Sequence, residues 1–359
     1  MRKHTFISII AVLILFLLVA CEEYFAIALD EMPKLMVVDS HFTNDPNQNF
    51  VRLSMTRNFY NTSPAEIPVG AKVDLIQFFG ETTSGVETSP GYFTFSTTPI
   101  PEKKYQLRIS YLKDTYVSDA VVMPPIPSID TLYTKHEVEK NYRIDSYGSP
   151  TLVETPGRRI CIDAPLSSGL EYYRFSWQAV LQWQYDPPVV FPPPLPSWYG
   201  WKTFYQTGQF NLAGPKEFTV SDKIRQHKVL SLSYNSLIYL DSVQQKPIGW
   251  IVTIHQYGIS KKSYDFQELL NKQFSAEGSL FDPVLTQVYG NIHCKTDPSK
   301  IALGFFDLNS YCQHRYYLYL GTGPDNQVVQ RRINEYYDIP DNGYMIGTYP
   351  VFWENNYQR

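Results

Sequence analysis

The feature that most narrows what this chain can fold into is a series of short segments in which apolar and polar residues alternate. Val51-Arg52-Leu53-Ser54, Ala71-Lys72-Val73-Asp74-Leu75-Ile76, Tyr105-Gln106-Leu107-Arg108-Ile109-Ser110 and Thr115-Tyr116-Val117-Ser118 share the pattern, and Gly, Pro or Asn bounds them. A period of two sends successive side chains to opposite faces, so each segment reads as a half-buried strand. Strands this short and this closely spaced predict antiparallel sandwiches. Aromatic residues make up 15% of the chain, and with recurring Val, Ile and Thr they suit a pleated surface. The fold class expected is therefore mostly β.

The 359 residues are more naturally two domains than one. Met123-Pro124-Pro125-Ile126-Pro127 places the boundary, because proline cannot donate to a central ladder. A first sandwich is expected over 34–123 and a larger β domain over 128–359, with strands near 158–163, 172–184, 229–239, 249–255, 301–306 and 316–320. Two features break the β pattern in the second region. Phe266, Leu269, Leu270 and Phe274 have helical spacing, with Asp265 and Glu268 placed like a capping pair and Gly278 as a stop, which predicts one helix over 265–274. At 186–197, six of the ten residues from Pro187 to Pro196 are proline, which favours extended polyproline geometry. Phe191 lies within it and Trp183, Tyr185, Trp198, Tyr199 and Trp201 flank it. These aromatics are a candidate binding surface, since Trp and Tyr anchor interfaces; the competing reading is a loop folded over its own sandwich.

The amino terminus bears on location. Arg2 and Lys3 precede an apolar run over 6–20 that ends in Leu18-Val19-Ala20-Cys21 and is followed by Glu22-Glu23. The run is short for a membrane span and has the layout of a signal peptide over 1–20. Cysteine after a small residue is where bacterial lipoprotein processing attaches diacylglycerol, so Cys21 is the expected lipidation site and 21–33 a short tether. The alternative is an ordinary secretory signal with Cys21 incidental. Glu22 and Glu23 are the candidate surface-export signal, and the expected location is the outer membrane, cell-surface exposed.

A net charge of −4 gives no basic footprint for nucleic acid. No Gly-x-Ser-x-Gly elbow and no His-Glu-x-x-His occurs, and no enzyme, cofactor or metal is expected. Carboxylates such as Asp163, Asp241 and Asp307 leave a glycosidase pair as the enzymatic alternative. Cys161, Cys294 and Cys312 remain in an oxidising compartment. A Cys294–Cys312 disulfide is the favoured pairing, closing a loop of a size for which about 3 kcal/mol is estimated, and Cys161–Cys294 is the alternative. A zinc set from His293, Cys294, Cys312 and His314 is disfavoured, because adjacent strand residues point to opposite faces.

Leu35-Met36-Val37-Val38-Asp39, Val69-Gly70-Ala71-Lys72-Val73, Pro90-Gly91-Tyr92, Pro127-Ser128-Ile129-Asp130, Gly290-Asn291-Ile292, Leu303-Gly304-Phe305-Phe306 and the terminal Phe352-Trp353 occur in one order. With the lipobox, that order resembles a Bacteroidota family of outer-membrane lipoproteins known as a domain of unknown function. The resemblance implies a transthyretin-like or immunoglobulin-like first domain, a larger β second domain, and a neighbouring TonB-dependent β-barrel receptor as partner. It carries over no catalytic residue. The function expected is thus a lipid-anchored accessory or binding subunit in nutrient capture, taking a glycan or peptide ligand. The alternatives are a structural subunit of an envelope assembly or secretion complex, and a surface glycan-processing enzyme.

Overall fold

Alternation along the first third of the chain produces nine strands: β1 (Met36–His41), β2 (Phe50–Met55), β3 (Lys72–Gln77), β4 (Thr82–Ser84), β5 (Val86–Ser89), β6 (Tyr92–Thr94), β7 (Lys104–Tyr111), β8 (Asp114–Ser118) and β9 (Val121–Val122). The structure is a computed structural model, and it describes residues 34–57, 63–144, 148–166, 169–185, 198–215, 223–233, 245–275, 288–320, 328–329 and 344–346. In β7, Tyr105, Leu107 and Ile109 are buried while Gln106, Arg108 and Ser110 are not. Met36 and Val38 of β1 and Val73 and Leu75 of β3 follow the same rule and join one hydrophobic core.

The later strands are β10 (Thr131–Ile144), β11 (Pro150–Pro165), β12 (Tyr172–Tyr185), β13 (Trp198–Tyr205), β14 (Asn211–Ala213), β15 (Lys223–Ser233), β16 (Gln245–Ile259), β17 (Ile292–Cys294), β18 (Ala302–Phe305), β19 (Ser310–Leu320), β20 (Val328–Val329) and β21 (Tyr344–Ile346). Four sheets result. β18-β1-β2-β6-β5 and β17-β8-β7-β3-β4 enclose the first core, with β9 beside β7. β10-β11-β15 and β20-β19-β16-β12-β13-β21, with β14 beside β12, enclose the second. Ile160 and Ile162 of β11, Tyr173 and Phe175 of β12, and Val252 and Ile254 of β16 centre that second core. The mostly β, two-sandwich expectation holds.

Residues 34–123 do not complete the first sandwich, whose core also takes residues 292–308. β17 and β18 return to it from the far end of the chain. β17 pairs antiparallel with β8, and β18 pairs parallel with β1 in the register Met36↔Ala302 to Asp39↔Phe305. Both would otherwise be edge strands with unpaired backbone groups, and the return segment covers them.

This closure depends on glycine at two places. Gly304 has φ +108°, and a Cβ there would sit 1.9 Å from the Val38 carbonyl oxygen. Gly290 packs so closely on the same turn of chain that its Cβ would meet the Gly304 oxygen at 1.5 Å. Neither clash has a flexible partner that can move away.

Helix α1 (Lys261–Phe274) starts four residues earlier than its apolar spacing predicts. Its N-cap is Ser260, whose hydroxyl accepts from the Ser263 N–H at 3.1 Å, the bond that satisfies an otherwise orphan donor of the first turn. Asp265 lies inside the helix and pairs with Lys261 at 2.5 Å. β10 and β11 pair along their whole length, whereas β15 joins β11 only over Gly157–Pro165. The outer half of that hairpin is a two-stranded arm, on which Tyr142 is 75% and Ile144 78% exposed.

These placements give opposite expectations for two substitutions. Gly304→Ala should destabilise by about 3 kcal/mol or more, because positive φ and a backbone clash coincide. Tyr142→Ser on the arm should stay within about 0.5 kcal/mol of wild type. Urea denaturation of both variants checks this, and a near-neutral Gly304→Ala would mean that β18 is not seated against β1 as described.

Candidate functional site

Where β18 leaves the first sandwich, the chain crosses directly into β19 of the second. Over the four crossing residues alternation persists: Phe306 and Leu308 are fully buried in the first core, while Asp307 and Asn309 line a cleft on the other side. The cleft has a volume of about 610 Å³. Its walls come from β1 and β2 (Asp39, His41, Phe50), from β12 (Arg174) and from α1. Ser263, Phe266, Gln267 and Leu270 of α1 face it, a spacing that puts all four on one helical stripe. Of the four residues that give the helix its apolar spacing, Phe266 and Leu270 line the cleft, and Leu269 and Phe274 are exposed.

Four asparagines hold this frame. Asn291 donates to the Phe306 carbonyl and accepts from the Phe306 N–H, both at 2.8 Å. Asn44 makes the same two bonds to Tyr311 at 3.0 and 2.6 Å, and Asn49 to Thr43 at 3.2 and 2.7 Å. Asn271 of α1 does so to Phe210, at 2.8 and 2.7 Å, which ties the helix to the strand beside it. A side-chain amide carries one acceptor and two donors, so it can stand in for a neighbouring strand where none is available.

Rings run along the cleft and away from it. Tyr92 stacks on Phe50 at 5.1 Å, Phe50 on His41 at 5.8 Å, and His41 meets Tyr257 edge-on at 5.9 Å. Tyr257 contacts Tyr311 at 5.2 Å, and Tyr311 bonds His255 Nδ1 through its hydroxyl at 2.8 Å. Arg174 and Tyr257 are cross-strand partners, which seats the guanidinium 4.2 Å over the Tyr257 ring.

The electrostatics of the cleft follow from burial. Asp307 is 5% exposed, and desolvation raises its carboxyl to about 6 despite hydrogen bonds from Ser263, Leu308 and Ser260. One oxygen, Oδ2, accepts from the Ser260 N–H at the start of α1, while Oδ1 has no partner. Gln267 Oε1 and Asn309 Oδ1 are likewise buried without a hydrogen bond, so three of the unpaired buried acceptors belong to this one cleft. Burial, with the Arg174 charge second, lowers His41 to about 4 and keeps its imidazole neutral at physiological pH.

Several residues singled out from the sequence stand elsewhere. Cys21, Glu22, Glu23 and Phe191, with the proline segment 186–197, lie outside the described residues. Trp183 and Tyr185 belong to β12, and Trp198, Tyr199 and Trp201 to β13, which pairs with it so that Tyr185 opposes Trp198. The Cys294–Cys312 disulfide is not formed, because all three described cysteines are free thiols. Cys294 faces the first core from β17 beside Thr296, whereas Cys312 on β19 contacts Gln256 and, at 3.0 Å, His314 Nε2. Their strands belong to different sandwiches. Burial pushes the Cys312 thiol to about 11, so beside His314 it is no thiolate nucleophile at neutral pH. His293 is exposed on the face of β17 opposite Cys294, and among the described residues no group of three or more His, Cys, Asp and Glu could hold a metal ion.

Fold and cleft together define a protein of two β-sandwiches with an aromatic and polar cleft where the chain passes from one to the other. The chain belongs to the family described as Domain of unknown function (DUF4249), whose model matches residues 22–315. That span takes in the first sandwich core, the second apart from Tyr316 and Leu318, and all of the cleft residues named above. No curated protein and no solved structure matches the chain.

The raised Asp307 carboxyl has a testable sign. A folded pKa above the unfolded value means that the native state holds the proton more tightly, so this group lowers stability as pH rises from its unfolded value of 3.8 through about 6. The shift corresponds to about 3 kcal/mol. Asp307→Asn should therefore gain on wild type by up to about that amount between pH 4 and pH 7. His41 contributes a slope of the opposite sign to both proteins and cancels in the difference. Denaturation at the two pH values measures it, and a constant difference would contradict the burial of the charge.

Proposed function

We propose that this protein is a non-enzymatic binding subunit, anchored to the outer membrane by lipid on Cys21 and working beside a TonB-dependent β-barrel receptor in nutrient capture. The observation that carries the binding part is the cleft, with its rigid asparagine-braced walls, its ring-lined floor and its three unpaired buried acceptors. Concave, mostly apolar sites with a few placed polar groups are the usual seats for small ligands. The groups present suit holding rather than turnover. Asp39 is paired with Arg52 at 3.4 Å, and the better-bonded oxygen of Asp307 is committed to α1. The anchoring part is supported by the layout of residues 1–23, and the receptor part by the resemblance drawn from sequence.

Three experiments on cells producing the protein test this reading. Fatty-acid labelling should be abolished by Cys21→Ala, and label in that variant equal to wild type would contradict lipid attachment. Mild-detergent purification should bring down one β-barrel receptor. General assembly factors in its place would favour the structural-subunit reading, and turnover of a glycan by the purified protein would favour an enzyme. Protease should shave the protein from intact cells, and replacing Glu22 and Glu23 with alanine should protect it. Unchanged shaving would remove the acidic pair from the export argument.

A further inference from the structure

Arg174 is the cationic side chain in the wall of the cleft. Its guanidinium lies over Tyr257, is hydrogen-bonded to that side chain and feels the charge of Asp307, yet among the described residues it makes no ion pair. A guanidinium carries five donors in a planar fork, so one bond to Tyr257 leaves others for a ligand. Arg174 is half-buried, and a guanidinium held in a cleft wall without a direct carboxylate contact is a ready receiver for an anion that can meet its fork.

The neighbours of Arg174 specify what that anion must carry. Asp307 Oδ1, Asn309 Oδ1 and Gln267 Oε1 are each more than nine-tenths buried as residues, line the same cleft and lack donors. A bare anion would meet the Asp307 carboxylate and be repelled. An anion with hydrogen-bond donors on the adjoining atoms would satisfy Arg174 and the acceptors together, reaching the latter by the side-chain rotations that commonly accompany binding. Phe50, Tyr92 and Phe266 add apolar ring surface to the same walls.

We infer that the cleft recognises small molecules in which a carboxylate, paired with the fork of Arg174, stands next to hydroxyl or ammonium donors that meet Asp307, Asn309 and Gln267. This rests on the reading of the cleft as a ligand seat. Two sources share the chemistry, acidic sugars and free amino acids or short peptides.

Titration calorimetry on the full chain at pH 7 decides the matter with four probes: galacturonate, galactose, the dipeptide Ala-Ala and its amide blocked at both ends. At least one carboxylate probe should bind at least about 30-fold more tightly than its neutral counterpart, the scale of a desolvated charge pair. Binding of galacturonate assigns the acidic-sugar source, and binding of Ala-Ala assigns the amino-acid or peptide source. Arg174→Gln should abolish the preference with little change in melting temperature. Should that variant not fold, Arg174→Lys retains the charge without the fork and should weaken the favoured probe by at least about tenfold. Tyr142→Ser, far out on the hairpin arm, should bind as wild type does.

Equal binding of charged and neutral probes, or a preference that survives both Arg174 substitutions, overturns the inference and leaves the ligand seat standing. If none of the four probes binds, the inference and the seat fall together.

Discussion

The parallel pairing of β1 with β18 is the interaction on which the rest depends. It joins segments far apart in sequence, as the 3.2 Å bond from Ser40 Oγ to the Phe305 carbonyl across 265 residues illustrates. Bringing such distant strands together is slow and entropically unfavourable, and it persists because several local contacts reinforce it. Gly304 and Gly290 allow the backbones to approach, Asn291 clamps the Phe306 peptide, and Phe306 and Leu308 drop into the first core. Once β18 is seated, the next residues must lead into β19, and Asp307 and Asn309 are turned towards the cleft by alternation alone.

The cleft is therefore a consequence of topology as much as of side chains. A sandwich completed by its own consecutive strands would leave β1 as an edge and give α1 nothing to face. Here the return segment supplies one wall, the outward face of β1 and β2 a second, and α1 a third. Phe266 stacks on Phe305 at 4.8 Å, which ties the helix to the returning strand. Asn271 ties the helix to the second sandwich through Phe210. The walls are held from several sides, so the backbone that carries these polar groups is fixed while their side chains can turn.

How much of this was legible in the sequence depended on whether the cause was local. Alternation exposed the strands of the first sandwich. α1 was found by its apolar spacing, but its start was misplaced because Ser260 carries no apolar signal and Asp265 imitates a cap. The return of β17 and β18 was hidden, since a short strand in sequence does not say which edge it will cover. Asn291 reads as part of a family motif, and that reading does not reveal that its amide substitutes for a strand. The disulfide failed for the same reason: Cys294 and Cys312 are close in sequence, but the crossing at 306–309 sends them to different sandwiches. Arg174 gave no signal, because a charged residue on the outward face of a strand looks solvated until α1 and the return segment cover it.

Native-state hydrogen exchange tests the central claim most directly, that the β1–β18 pairing locks both sandwiches and the cleft into one cooperative structure. The amides of Val37–Asp39 and Leu303–Phe305 should exchange only with the opening free energy shared by the core of β16, while the β10–β11 arm exchanges far faster. Exchange of the β1–β18 amides at a much lower opening free energy, with β16 still protected, would contradict the account.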